Sequence, residues 1–358
     1  MKASLFFRIM KIWCSAGLRF YFKKWQINNA KAVRVNGPVI FIPTHQNAFL
    51  DAVLVICSSY RNPWSIARAS VFKPGLVTKL LTAVQIKPVF RIRDGWSSLK
   101  NNDAIMQEWI EMLAAGHDIM IFAEGNHNEP YASGTLQRGF ARMAIKFQQQ
   151  YSTPLTIIPV GVYYEDHLAF RSRVLVNYGE PIDVTSVIQA SQTERDKLDN
   201  LVTVTTDGLH NLALAIDPNE NYKAKFDFLM RYRKIQQDLI RQMESDRALL
   251  AHYPKAPAHA PTRRQAASTG RHLNPIVWIG WLLNALPYSI IRSFIRKKVK
   301  DPQFIGSLKY AFGIFLVPLY YILLIVILYS TTKSLALTIG SALLLPFTGI
   351  FATDILKK

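Results

Sequence analysis

The stretch PTHQNAFLD, residues 43–51, brings a histidine and a carboxylate together where the local pattern changes. An apolar, β-prone run precedes it and AFLDAVLVICSSY, a helix-like run, follows, so His45 lies at a predicted strand-to-helix junction. Asp51, the first acidic residue of the chain, comes after five intervening residues. A carboxylate on one imidazole nitrogen fixes the tautomer and leaves the other nitrogen as a base. The pair is therefore a candidate general base. The alternative is a capping turn with an exposed Asp51 in the first helical turn, where the dipole favours it.

Two more polar segments follow predicted strands. PVFRIRDG places Arg91 and Arg93 at the end of one strand, where guanidinium groups suit bidentate phosphate binding. The alternative is a pair of surface arginines bridging to Asp94. IFAEGN leads a buried-type strand into Glu124, Gly125 and Asn126, and the glycine allows close backbone approach.

A predicted helix then opens with GTLQRGFARMAIKF, which places Arg138 and Arg142 four positions apart on one helical face. No GxxxxGK[ST] loop, GxSxG elbow or metal-ligand cluster occurs in the sequence, so it predicts no metal site and no nucleotide loop.

The elements that must position these residues alternate between strand-like and helix-like runs. VIFIP, WSIARA, IKPVF, DIMIFAE, LTIIPVGVYY and RVLVNYGEP are typical of strands, and residues 48–60, 97–115 and 135–150 of helices. This alternation predicts an α/β fold with a mixed sheet and flanking helices. Ligands of such sheets bind at the carboxyl ends of strands, so the polar segments are expected to share one edge.

Composition indicates an anionic partner. The 358 residues carry a formal net charge of +19 with a pI near 9.9, half of them are hydrophobic, and the mean hydropathy is +0.09. Basic residues near the N-terminus alternate with aromatic and aliphatic ones, which favours an acidic membrane over nucleic acid. Cys14 and Cys57 cannot form a disulfide framework, which favours a reducing, cytoplasmic compartment.

The two ends of the chain have the patterns of membrane segments. Residues 1–25 are predicted to form an interfacial membrane helix, with an ordinary docked amphipathic helix as the alternative. Residues 26–252 form the predicted α/β domain, with a helical extension from about 185, and 253–272 a linker.

Residues 273–358 form the predicted membrane region. It contains two uncharged runs, 312–329 and 334–353, which predict a transmembrane hairpin, with buried core helices as the alternative. A third run, 274–291, is interrupted by Asn284 and Pro287 and is predicted to be interfacial or re-entrant. Flanking basic residues place both hairpin ends on the cytoplasmic face.

Taken in order, THQNAFLD, PVFRIRDG, FAEGN and IIPVGV resemble the motifs of the glycerolipid acyltransferase family, the lysophosphatidic acid and glycerol-3-phosphate acyltransferases. The resemblance covers residues 30–184. The commonest first motif of the family has four residues between histidine and aspartate, whereas this chain has five. Ala123 stands where the family usually has proline, and Asn126-His127 where it has Thr-Arg.

The resemblance implies an O-acyltransferase of phospholipid biosynthesis at the cytoplasmic face of a bacterial inner membrane. A fatty acyl group would pass from acyl-CoA or acyl-carrier protein, a co-substrate rather than a cofactor, to glycerol-3-phosphate or 1-acyl-glycerol-3-phosphate. His45 and Asp51 would be catalytic. The substrate-binding residues would be Arg91, Arg93, Glu124, Gly125, Asn126 and Arg138.

Two other functions remain open at this stage. An acyltransferase for a lyso amino-acid lipid would keep the chemistry and change the acceptor. A non-catalytic tether that binds anionic phospholipid would need the charge and the hairpin but would have no use for the pair formed by His45 and Asp51.

Overall fold

The computed structural model describes residues 4–69, 72, 75–89, 97–125, 131–132, 134–219, 221–255 and 275–356. The chain divides into two compact units. The sheet unit comprises the described parts of 1–15, 26–164 and 174–222, and the helical unit those of 16–25, 165–173 and 223–358. Residues 256–274, which hold most of the predicted linker, lie outside the described residues.

The described strands form one eight-stranded mixed sheet in the order β1-β7-β6-β2-β5-β3-β4, with β8 also paired to β6. The strands are β1 (Lys24–Asn28), β2 (Val39–Pro43), β3 (Trp64–Arg68), β4 (Ile86–Val89), β5 (Ile119–Met120), β6 (Thr156–Tyr164), β7 (Arg173–Tyr178) and β8 (Ile182–Asp183). β2 is parallel to both β5 and β6, and β3 is parallel to β4 and β5, whereas β7 and β8 run antiparallel to β6. The predicted mixed sheet with flanking helices is confirmed.

The helices α1 to α7 belong to the described part of the sheet unit. The first is α1 (Leu5–Tyr21), whose last residues belong to the helical unit. The others are α2 (Ala48–Ser58), α3 (Leu76–Ala83), α4 (Ser97–Ala114), α5 (Gly139–Gln150), α6 (Val184–Gln189) and α7 (Glu194–His210). One face of α5 is buried in the core together with Trp109 of α4 and Leu201 of α7, because its apolar residues recur at helical spacing. β2 and β6 are buried along their whole length, so the strand that leads into His45 lies in the middle of the sheet.

Several of the described elements differ from the sequence prediction. The strand expected over 118–124 is limited to β5, because the chain turns immediately afterwards: the backbone N–H of Gly125 donates to the carbonyl of Phe122, and Gly125 has a φ of 75°. The helix expected from residue 135 begins at Gly139. β1 and α3 were not predicted, since both are short and interrupted by polar residues.

The helical unit contains α8 (Tyr222–Tyr232), α9 (Leu239–Ala251), α10 (Pro275–Lys298), α11 (Gln303–Thr332) and α12 (Leu335–Leu356), the first residue of α8 belonging to the sheet unit. α11 and α12 are long and apolar enough to cross a membrane, and most of their large side chains are exposed. Residues 275–291 of the segment predicted to be interrupted at Asn284 and Pro287 lie within one continuous helix, α10.

A polar cluster joins α10, α11 and α12. The side-chain amide of Asn284 donates to the carbonyl of Gly280 at 2.8 Å and to Oγ1 of Thr348 at 3.0 Å. The hydroxyl of Tyr321 donates to Oδ1 of Asn284 at 2.6 Å. Gly280 permits this close approach, because a Cβ there would lie 2.5 Å from the carbonyl oxygen of Thr348.

Both ends of the α11–α12 hairpin contact the segment 165–173 of the same unit. Nζ of Lys309 donates to the carbonyl of Leu168 at 2.7 Å near the start of α11. Arg171 forms a two-point ion pair with Asp354 near the end of α12, at 2.8 and 3.0 Å. The two ends of the hairpin therefore lie on the same side, and Lys333 and Ser334 form its tip.

Candidate active site

The carboxyl ends of β2 and β5 place His45 and Glu124 beside each other. Beyond β2, the backbone N–H of Thr44 donates to the carbonyl of Val160 on β6, so the chain stays in the sheet until just before His45. Beyond β5, the N–H of Ile121 donates to the carbonyl of Phe41. Because these strands are parallel neighbours, their polar continuations share the edge that the sequence predicted.

His45 and Asp51 are in contact. Nδ1 of His45 lies 3.0 Å from Oδ2 of Asp51, and both residues are buried. The chain curls between them at Ala48, whose φ of 42° is unusual for a residue with a side chain. Left-handed backbone at such a residue costs on the order of 1–3 kcal/mol and persists only where surrounding contacts hold it. This curl brings together two residues that a regular helix would separate.

The carboxylate of Asp51 also orders the turn before α2. Its Oδ2 accepts the backbone N–H groups of Gln46 and Asn47, each at 2.8 Å. Its Oδ1 accepts the hydroxyl of Tyr164, at the end of β6, at 2.6 Å. Asp51 therefore contacts His45 and also accepts the N–H groups of the turn, but it is buried and not exposed as the capping alternative assumed.

The imidazole of His45 is held by a stacked aromatic ring as well as by Asp51. The ring of His45 stacks on that of Phe122, with centroids 4.0 Å apart and planes inclined by 25°. With Nδ1 carrying its proton toward Asp51, Nε2 is the basic nitrogen. The arrangement can take a proton at Nε2 while Asp51 stabilises the imidazolium that forms.

Glu124 lies close enough to be coupled to this pair. Burial raises the pKa of Glu124 to about 8, a hydrogen bond from the backbone N–H of His45 lowers it, and the charge of Asp51 raises it. The carboxyl is therefore largely protonated at neutral pH, where it can donate a hydrogen bond.

The turn at Gly125 adjoins the start of α5. The backbone N–H of Gln137 donates to the carbonyl of Ala123 at 2.7 Å, and a Cβ on Gly125 would lie 3.4 Å from Cγ of Gln137. Arg138 is the N-cap residue of α5, and its guanidinium lies 2.6 Å from a carboxylate oxygen of Asp199 on α7. Both partners are substantially exposed, so this ion pair is weak and a phosphate could displace it.

Three of the predicted site residues, Arg91, Arg93 and Asn126, lie outside the described residues. Their roles, like those of the described site residues, remain predictions. Within the described ranges, no three His, Cys, Asp or Glu side chains come together in a way that could hold a metal ion.

Sequence reasoning missed the side chains that support the pair from a distance. Tyr164 lies 113 positions from the aspartate it contacts, and Phe122 follows β5 in a run predicted to be strand. The available signal was that Tyr164 ends the predicted strand LTIIPVGVYY.

Comparison with protein families locates a match largely within the sheet unit. The family model described as Acyltransferase matches residues 24–163. Glycerol-3-phosphate O-acyltransferase 1 of Saccharomyces cerevisiae is 26% identical over 153 residues, which cover 41% of this chain and 19% of that protein. The chain thus spans about a fifth of the length of that curated relative.

Among solved structures, the 1-acyl-sn-glycerophosphate (LPA) acyltransferase PlsC from Thermotoga maritima is similar with a TM-score of 0.40 and 16% identity, covering 56% of this chain and 77% of that one. The family match contains His45, Asp51 and Glu124. Residues 24–163 of the chain are therefore similar to the acyltransferase family, and a region of 153 residues is similar to a glycerol-3-phosphate acyltransferase.

Proposed function

We propose that this protein is an O-acyltransferase that moves a fatty acyl group from a thioester donor to a hydroxyl of a phosphorylated glycerol. The observation that carries the proposal is the buried contact between His45 and Asp51 at the carboxyl end of β2. The name of the yeast relative, a glycerol-3-phosphate acyltransferase, supports a glycerol phosphate acceptor. Either glycerol-3-phosphate or 1-acyl-glycerol-3-phosphate fits this acceptor class, and either acyl-CoA or acyl-carrier protein fits the donor.

The reaction needs one base and no covalent enzyme intermediate. Nε2 of His45 takes the proton of the acceptor hydroxyl, and the oxygen forms a bond to the thioester carbonyl carbon. As the carbon–sulfur bond breaks, the departing thiolate receives the proton from the imidazolium. General-base action of this kind contributes roughly 10²–10⁴-fold, and positioning of the two substrates supplies much of the rest.

The remaining site residues would position the acceptor. Neutral Glu124 would donate a hydrogen bond to an acceptor oxygen, and Gly125 would let the acceptor approach the backbone closely. Arg138 would exchange its ion pair with Asp199 for the acceptor phosphate, alongside Arg91, Arg93 and Asn126.

A membrane location is part of the proposal. α11 and α12 would span the bilayer, since 30 residues of helix extend about 45 Å and 22 residues about 33 Å. α1 exposes Leu5, Phe6, Ile9 and Ile12, a face that would lie in the interface. The basic last turn of α10 and the pattern of flanking charge favour the cytoplasmic face of a bacterial inner membrane.

Labelling of single cysteines tests this orientation. In a variant with both native cysteines replaced by serine, Lys333→Cys at the hairpin tip should react with a membrane-impermeant maleimide in intact cells. Lys300→Cys, before α11, should react only after lysis. Labelling of both positions in intact cells would exclude the proposed orientation.

Transfer itself is tested with purified full-length protein in detergent and labelled acyl-CoA or acyl-carrier protein. The acceptor panel holds glycerol-3-phosphate, 1-acyl-glycerol-3-phosphate, glycerol and a lyso amino-acid lipid. We expect product only with the two phosphorylated glycerols. Transfer to the amino-acid lipid alone would replace the proposed acceptor class, and no transfer from either donor to any acceptor would favour the tether.

A further inference from the structure

The hydroxyl of Tyr164 points at the oxygen of Asp51 that faces away from the imidazole. Tyr164 is the last residue of β6 and is 1% exposed, while Asp51 is fully buried. The hydroxyl donates to Oδ1 at 2.6 Å, a short bond of the kind made to an ionised acceptor. Since Oδ2 takes the contacts from His45, Gln46 and Asn47, the tyrosine fixes the second oxygen and with it the plane of the carboxylate.

Tyr131 ties the end of β6 to the turn that carries His45. Its hydroxyl donates to the backbone carbonyl of Tyr164 at 2.5 Å, and its backbone N–H donates to Oε1 of Gln46 at 3.3 Å. Its ring also stacks on that of Tyr163, with centroids 5.7 Å apart. The tyrosine that reaches Asp51 is therefore anchored to the same turn that the carboxylate orders, and displacement of either would disturb the other.

We infer that Tyr164 is a positioning residue for the pair formed by His45 and Asp51, and that it acts only through Asp51. This inference rests on the proposed function, in which the pair is the general base. The tyrosine hydroxyl disperses part of the carboxylate charge and holds Oδ2 toward Nδ1. Without it, Asp51 loses a buried donor, its plane is less restrained, and more of its charge acts on the imidazolium.

The consequence for the reaction follows from the contacts of the two carboxylate oxygens of Asp51. Oδ2 lies 3.0 Å from Nδ1 of His45, and Oδ1 accepts the hydroxyl of Tyr164. Loss of the hydroxyl leaves Oδ2 less well aligned with Nδ1, so the imidazole is held less firmly for proton transfer at Nε2. The expected result is slower transfer with unchanged substrate binding.

The test compares Tyr164→Phe with Tyr178→Phe in the full-length protein. Tyr178 is a matched control, because it is as deeply buried and its hydroxyl also contacts α2, at Ser58 (2.7 Å) and the carbonyl of Val55 (3.1 Å), away from Asp51. Tyr164→Phe should lower kcat by about tenfold with both KM values unchanged, as expected when an interaction of the reacting base is lost. Tyr178→Phe should leave kcat within about twofold while lowering Tm to a similar degree.

A double-mutant cycle tests whether the tyrosine acts through the carboxylate. In the Asp51→Asn background, Tyr164→Phe should cost no more than about twofold, because groups that act as one unit are strongly non-additive. A full additional tenfold loss, an effect equal to that of Tyr178→Phe, or a rise in the acceptor KM at constant kcat would each overturn the inference.

A spectroscopic readout keeps the test independent of turnover and of folding of the phenylalanine variant. The ¹H–¹⁵N signal of the Nδ1–H group of His45, assigned by its loss in His45→Ala, should shift in Tyr164→Phe relative to wild type and to Tyr178→Phe. If Tyr164→Phe does not fold, difluorotyrosine at 164 keeps the hydroxyl and strengthens it as a donor, and should shift the same signal in the opposite direction. An unmoved signal overturns the role of Tyr164. Near-normal transfer by His45→Ala would instead refute the general base.

Discussion

β6 and α11 are both almost uninterrupted apolar segments, yet β6 is buried and α11 is largely exposed. All nine residues of β6 are buried by protein, whereas α11 leaves large side chains exposed along most of its length. Composition alone does not distinguish them. β6 is covered by helices packed on the sheet and by the strands paired on either side of it. The exposed side chains of α11 need an apolar environment, which the described part of the chain does not supply.

In both regions, however, the polar side chains are hydrogen-bonded to other groups of the protein. Asp51 in the sheet unit has donors on both of its oxygens, and Asn284 in the helical unit uses both its amide nitrogen and its oxygen. A polar group without access to water needs partners from the protein, whether the surrounding apolar material is a core or lipid. The apolar surroundings differ between the two units, but in both a polar side chain needs hydrogen-bond partners.

Charges on the exposed face of the hairpin should produce the largest effect. Leu323→Arg combined with Leu344→Arg places two guanidinium groups on exposed positions of α11 and α12. Each costs about 2.5–3.5 kcal/mol at a bilayer centre, so we expect the variant to be lost from the membrane fraction. Fractionation followed by immunoblotting measures this.

Ile235→Arg is the matched control. Ile235 is also well exposed but lies between α8 and α9. It should have little effect on the amount of protein in the membrane. Equal tolerance of both changes would mean that α11 and α12 face water.

Arg138→Ala should raise the acceptor KM by one to two decades, because a charge-assisted contact to phosphate contributes about 1.5–3 kcal/mol. The donor KM should not change. Asp199→Asn removes the partner of Arg138 in the structure and should leave the acceptor KM unchanged or lower it. A rise with Asp199→Asn comparable to that of Arg138→Ala would assign the arginine a structural role on α7 instead.

Asn284→Ala should destabilise the helical unit modestly. It removes the contacts to Thr348 and Tyr321, and hydrogen bonds between helices in membranes contribute about 0.6 kcal/mol on average. We expect a Tm lower by a few degrees in detergent. Ser330→Ala, which removes a hydroxyl that bonds only within α11 among the described contacts, should leave Tm nearly unchanged. Equal Tm values for the two variants would show that the hydrogen-bond partners of Asn284 do not stabilise the helical unit, and would contradict the comparison with Asp51.

Another expected effect concerns the pH dependence of stability. The pKa of Glu124 is raised from an ordinary value of 4.5 to about 8, mainly by burial. Between these values the folded protein keeps a proton that the unfolded chain releases, so this group makes the free energy of unfolding fall as pH rises. Glu124→Gln stays neutral in both states, and its Tm should therefore fall less than that of wild type between pH 5 and pH 9. Parallel curves would show that Glu124 is not buried in its neutral form.

Elements formed by adjacent residues were mostly predicted from the sequence, whereas contacts between residues far apart in the sequence were mostly not. The strand before His45 and the helix after it follow from adjacent residues, and so does the shared edge with Glu124, because parallel strands align their ends. The short extent of β5 was not predictable, since the turn at Gly125 overrides an apolar run. The donor from Tyr164 and the pairing of Arg138 with Asp199 arise from tertiary packing, which no spacing in the sequence encodes.

The general-base role of His45 is tested by the turnover of His45→Ala in the labelled acyl-transfer assay, with the fold verified by circular dichroism. The substitution removes the general base at the end of β2 and little core volume. We expect a folded, membrane-bound protein whose kcat is lower by roughly 10²-fold or more. Asp51→Asn should also be severe, and the double variant should be little worse than His45→Ala alone. Transfer by His45→Ala at a rate near that of wild type would contradict the account and leave the buried pair as a structural turn.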